Sequence, residues 1–186
     1  MNKRLNLITG AILAFLPTAA WAHPGHEGDE GLLAGLAHPL TGMDHLAAML
    51  LVGLWAGLLV PRGKAALLPP AAFLVAMLAG FLSGGVLAEP IIVASLIVLG
   101  AAAAFKVRAP LVLAAAASAL FGFAHGMAHG FETPQGAFPA LFAIGFLVST
   151  GSLHGLGLWL ARVLPAPILR LIGAGAAGLG LVMAAS

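Results

Sequence analysis

The sequence predicts an all-α integral membrane protein, a six-transmembrane-helix bundle that forms after an N-terminal signal peptide is removed. Three observations carry that prediction. Of 186 residues, 61% are hydrophobic and only 8% are Asp, Glu, Lys or Arg, with a mean hydropathy of +1.09; a soluble domain does not have that composition. The apolar runs are continuous and do not alternate, so they cross as helices and not as barrel strands. The few charges gather in short breaks that also carry proline. The chain has no cysteine, which excludes disulfides, zinc ribbons and thiolate metal sites. The formal charge of +2 does not indicate nucleic acid: without Lys3 and Arg4, six basic residues face six acidic ones. The expected partner is the lipid bilayer.

The elements follow in order. Residues 1–22 read as a secretory signal. Lys3 and Arg4 form the basic start, "LNLITGAILAFL" the apolar core, and "AWA" at 20–22 a small-x-small cleavage site. Cleavage there leaves a mature chain, residues 23–186, that begins "HPGHEGDE". This short tail (residues 23–30) offers His23, His26, Glu27, Asp29 and Glu30, either to gather cations or simply as a solvated acidic tail. Residues 31–37 are expected to dip into or lie at the interface, because Gly31 to Val60 is too long for one span. Spans are expected at about 42–60, 66–88, 91–105, 110–131, 137–161 and 166–185, with the third the shortest.

Orientation follows from sign. Arg62, Lys64, Lys106, Arg108, Arg162 and Arg170 fall in or beside alternate breaks, and Glu27, Asp29, Glu30, Glu89 and Glu132 fall in the others. The positive-inside rule makes the basic side cytoplasmic. A cleaved signal independently places the mature N-terminus outside. The predicted location is the bacterial cytoplasmic membrane, multi-pass, with both termini periplasmic.

An ionisable side chain at membrane depth costs about 2.5 kcal/mol or more on insertion scales, yet this chain clusters them. "HPLTGMDH" carries His38, Asp44 and His45. Thr41 and Asp44 have capping-box spacing, which alone would account for Asp44 but not for the histidines. Pro39 is expected to interrupt the helix and leave His38 on a turn facing the next helix start. "FAHGMAHGFE" carries His125, His129 and Glu132, spaced by four and three on one helical stripe. Two histidines four apart chelate a divalent metal, and a carboxylate one turn on completes or tunes the site. Gly122, Gly126 and Gly130 form a neighbouring stripe that admits a second helix closely. The first cluster opens span one and the second closes span four, so both come to the outer end of the bundle. The competing reading is histidines that merely hydrogen-bond across helix pairs. His154, deeper in span five, is a further candidate ligand on an inward path, or a histidine bonded to a neighbouring carbonyl.

Without thiolates the donor set suits Cu(I) poorly; imidazole with carboxylate suits Ni(II), Co(II), Zn(II) or Mn(II). Composition does not choose among these. The two motifs, His-x5-Asp-His and His-Gly-x-Ala-His-Gly-x-Glu, together with the signal and six short spans, resemble the HupE/UreJ family of bacterial hydrogenase and urease accessory membrane proteins. The resemblance covers essentially the whole mature chain. One departure is Ala124, which separates Phe123 from His125 where the motif commonly reads Phe-His-Gly. The resemblance implies a permease for Ni(II), or Co(II), as transported ion, with no bound cofactor and no catalytic residue. It implies metal ligands at His38, Asp44, His45, His125, His129 and Glu132; His154, His23 and His26 remain additional candidates from the residues themselves. It also implies an indirect link to hydrogenase or urease maturation proteins, and it leaves a homo-oligomer open. The rival is an intramembrane zinc-dependent hydrolase with Glu132 or Asp44 as base.

Overall fold

The computed structural model describes residues 29–84 and 88–186. The expected signal at 1–22, and His23 and His26, lie outside the described residues. Among the described residues seven α-helices follow one another: α1 (Asp29–Thr41), α2 (Met43–Leu59), α3 (Leu68–Ser83, preceded by a 3-10 turn at Lys64–Leu67), α4 (Glu89–Ala104), α5 (Leu111–Phe131), α6 (Pro139–Val163) and α7 (Ala166–Ala185). There is no strand among the described residues. Prolines mark the starts. Each of α3, α4, α6 and α7 has proline in its first two positions, and Pro110 and Pro165 cap α5 and α7. Proline suits these places, because the first helical N–H groups have no partner to lose.

Helices α2 to α7 coincide with the six apolar stretches. Four are long and apolar enough to cross a membrane: Lys64–Ser83, Leu111–Phe131, Pro139–Val163 and Ala166–Ala185. A fifth crossing results if α1 and α2, which meet at 83°, are taken as one broken span. Helix α4 is apolar but has 16 residues, about 24 Å of helix against a hydrocarbon core of about 30 Å. The chain is thus an all-helical, multi-pass membrane protein.

The helices pair as α3 on α5, α2 on α6 and α4 on α7, and α1 lies along the first half of α6. Glycine sets how closely these pairs approach. A methyl group at Gly126 of α5 would run into the Met77 carbonyl of α3, and one at Gly53 of α2 into the His154 carbonyl of α6. Bare backbone lets the helices touch there, and side chains on either flank are drawn together. The buried core runs through Met49, Trp55, Phe73, Met77, Phe142 and Phe146. Charge sorts to the ends: Asp44, Glu89 and Glu132 line one cavity, and Arg62 and Arg162 line another.

Two local expectations are corrected. His38 is not on a turn: α1 continues through His38 and Pro39 to Thr41. A proline in the last helical turn removes one N–H bond near the end, where it costs least. The Thr41–Asp44 capping box does not form either. Gly42 occupies the cap position without a side-chain bond, and the Thr41 hydroxyl turns back to donate to the His38 carbonyl at 2.8 Å. Thr41 still belongs to α1, so its hydroxyl answers a loose carbonyl there.

Candidate metal centre

Helices α1, α2 and α5 bring the two motifs together at the acidic end. Helix α5 ends where Pro134 cannot continue it, and Glu132 sits at the cap with its N–H on the Ala128 carbonyl. Glu132 therefore projects at the rim, while His129 and His125 lie one and two turns below, fully buried. His45, in the first turn of α2, is also buried. His38 arrives from the last turn of α1.

The four imidazoles form one connected group. Ring centres are 4.8 Å apart for His38 and His129, 4.9 Å for His129 and His45, and 5.1 Å for His45 and His125. His38 Nε2 lies 2.8 Å from Glu132 Oε2, and His129 Nδ1 lies 3.8 Å from the same oxygen. Donor atoms of His38, His129 and Glu132 all fall within 4.8 Å of one another. Ligands about 2.1 Å from a metal stand about 3 Å apart when adjacent in an octahedron and about 4.2 Å when opposite. The His38–Glu132 pair already has the adjacent spacing, and small side-chain rotations close the rest. The His38 hydrogen bond holds the Glu132 carboxyl below the usual carboxylate range, against the opposing effect of partial burial.

Hydrogen bonds set the histidine tautomers. His45 Nδ1 is 3.0 Å from Asp44 Oδ1, which also accepts the His45 backbone N–H at 2.8 Å. His125 Nδ1 donates to the Phe121 carbonyl at 2.8 Å. With Nδ1 protonated, each ring turns a bare Nε2 lone pair into the protein. Among the described residues, no partner reaches Nε2 of His45 or His125, or either nitrogen of His129. A buried polar atom left alone costs about 1–3 kcal/mol, and four of them in one cluster need a reason. A histidine oriented through one nitrogen and bare at the other is the usual arrangement around a metal.

Each residue singled out from sequence can now be placed. His38, His129 and Glu132 converge directly. His45 and His125 extend the group inward. Asp44 is beside the cluster, with one oxygen committed to His45. His154 belongs to α6 and stands apart, its Nδ1 2.7 Å from the Met49 carbonyl. Gly42 matters through its lack of a side chain: a methyl there would sit 2.8 Å from Asp44 Oδ1 and 3.2 Å from His45 Nδ1.

Several residues escaped the sequence reading. Glu89, used above only to orient the chain, lines a cavity of about 220 Å³ with His38, Asp44, His45 and Glu132. An acid at the start of a span on the acidic end was its signal. Phe142 and Phe146 wall the group, with ring centres 5.3 Å from His38 and 4.9 Å from His129 respectively. Nothing in an apolar helix distinguishes such aromatics from ordinary packing.

Comparison with known proteins gives the family. The family model described as "HupE / UreJ protein" matches residues 11–183. "Protein HupE" of Rhizobium leguminosarum bv. viciae is 40% identical over 153 residues, covering 80% of this chain and 78% of that protein. No solved structure matches. With nearly its whole length matched, the chain belongs to the HupE/UreJ family.

Proposed function

We propose that this protein is a permease for a divalent transition metal, with Ni(II) as the first cargo and Co(II) as the alternative, supplying hydrogenase or urease maturation. One observation carries the reading: four imidazoles and a carboxylate converge at the acidic end, and no described residue bonds Nε2 of His45 or His125 or either His129 nitrogen. An all-nitrogen and oxygen set of this kind suits Ni(II) and Co(II). The ion loses water at the rim, where His38 Nε2 and Glu132 Oε2 stand 2.8 Å apart and can both turn to it. It then moves to the buried imidazoles of His129, His45 and His125. Asp44 keeps His45 in the ligating tautomer. In this reading all six apolar helices cross the bacterial cytoplasmic membrane, residues 1–22 are a cleaved signal, both termini are periplasmic, and the acidic end faces outward. The alternating breaks and their signs support that orientation. Entry is driven by the membrane potential, about 2.3 kcal/mol per charge per 100 mV, or by proton exchange at the histidines.

Uptake of radioactive nickel and cobalt by cells lacking their own nickel importers tests this reading. The intact protein should import, and His129→Ala and Asp44→Ala at matched membrane levels should not. No uptake above empty cells, with zinc tightly held in the purified protein, would sink the permease and favour the zinc hydrolase.

A further inference from the structure

The basic end of the bundle has a cleft of its own. Pro61, Arg62, Gly63, Ala161 and Arg162 line a cavity of about 430 Å³, within the roughly 300–1,000 Å³ of small-ligand clefts. It lies between the turn that follows α2 and the last turn of α6. Three local features build it. Pro61 stops α2 from running on. Gly63 turns the chain at φ +104, where an L side chain is strained. Gly57 lets α2 and α6 close up, since a methyl there would stand 2.6 Å from Ala161 Cβ. Two arginines from distant parts of the chain are thereby brought to one cavity.

Like charges sharing a cavity repel, and among the described residues no carboxylate answers them. Asp44, Glu89 and Glu132 line the cavity at the opposite end, and the ion pairs of the described residues all involve histidines there. An arginine near a helix end can instead serve the open carbonyls. Arg170 does so, with Nε donating to the Ala104 carbonyl at 2.9 Å where α4 ends. Arg62 and Arg162 make no such bond among the described residues.

Two guanidinium forks without an acceptor call for an oxyanion, and phosphate oxygens take such forks in pairs. The surroundings choose the source of the phosphate. Trp159 stands one turn before Arg162 on the same face of α6, with Val163 a turn beyond it. Both are half exposed, at 51% and 50%. Tryptophan at a membrane boundary sits at headgroup level. An amphiphile satisfies the arginines and this apolar stripe together, whereas a free phosphate satisfies the arginines alone.

We propose that the cleft between Arg62 and Arg162 binds the phosphate of an anionic glycerophospholipid, with an acyl chain lying along Trp159 and Val163. Basic clefts between helix ends on the cytoplasmic side are suited to such headgroups. That the lipid belongs to the cytoplasmic leaflet rests on the orientation in the permease reading; the site itself does not.

The test is native mass spectrometry of the full chain in detergent, titrated with phosphatidylglycerol or phosphatidylcholine of matched chains. Wild type should bind the first phosphatidylglycerol at least about tenfold more tightly than phosphatidylcholine. Arg62→Gln with Arg162→Gln should abolish that preference, because two charge-assisted contacts are lost. Lys106→Gln with Arg108→Gln removes the same charge from the neighbouring loop and should leave the preference intact. Inorganic phosphate in large excess should not displace the lipid. A second measurement needs no variant: phosphatidylglycerol should raise the melting temperature of wild type more than phosphatidylcholine does. Equal affinity for the two lipids, an equal loss in the Lys106/Arg108 variant, or displacement by inorganic phosphate would overturn the proposal. Lipid preference without metal import would sink the permease alone, and import without lipid preference would sink this site alone.

Discussion

Substituting Gly126 by alanine should disable the metal centre without touching a ligand. The added methyl would stand 2.7 Å from the Met77 carbonyl carbon and 2.8 Å from the Phe81 nitrogen, where ordinary contact begins at 3.4 Å. Both obstacles are backbone, and the Met77 carbonyl oxygen is nearer still, so no rotamer relieves them and α3 and α5 must separate by more than about 0.7 Å. Overpacking of this kind costs about 1–3 kcal/mol. Alanine returns up to about 1 kcal/mol of helix propensity, leaving a net loss of up to about 2 kcal/mol. His125 and His129 flank the wedge, and displacement of that size at a preorganised site is enough to degrade it. Gly155 on α6 supplies the control, because a methyl there meets nothing within 4 Å. Thermal unfolding in detergent and Co(II) titration should show Gly126→Ala destabilised and weakened in binding, and Gly155→Ala neutral or slightly more stable. Gly126→Ala with wild-type stability and affinity would refute the claim that close α3–α5 approach positions the histidines.

Other consequences can be checked with the same preparation. Asp44→Asn keeps an acceptor for His45 but loses the charge, so Co(II) affinity should fall roughly tenfold with the melting temperature nearly unchanged; undiminished affinity would remove Asp44 from the site. Glu132 has a depressed folded-state pKa, so its stabilisation is complete above its ordinary value of 4.5 and is lost as pH falls through the folded value. Glu132→Gln should therefore lose less melting temperature than wild type between about pH 6 and pH 3; parallel curves would mean the His38–Glu132 bond contributes nothing.

Much of this was legible in the sequence, for physical reasons. Continuous apolar runs with proline at their starts placed α2 to α7 within a few residues, since membrane helices leave their backbones little choice. The spacing His125, His129, Glu132 fixed one stripe, and alternating charge brought it to the same end as His38 and His45. What was not legible depended on partners distant in sequence. Thr41 looked like a cap for Asp44, but its helix runs on to include it, so the hydroxyl bonds backward to His38. Pro39 looked like a break, yet the 83° bend comes at Gly42. Glu89 reads only as a charge at a helix start until α4 carries it to the rim beside Asp44 and Glu132. Phe73 and Phe146 are indistinguishable from core aromatics until their rings are seen against histidines.

The central claim is that imidazoles from both motifs hold one metal ion with a carboxylate. X-ray absorption at the nickel edge, on the purified protein loaded with one equivalent, addresses it directly. The account predicts a shell of nitrogen and oxygen only, with the outer-shell scattering of at least two imidazoles, one of which is lost in His129→Ala. A spectrum of hydrated nickel without imidazole, or one unchanged by His129→Ala, would contradict it.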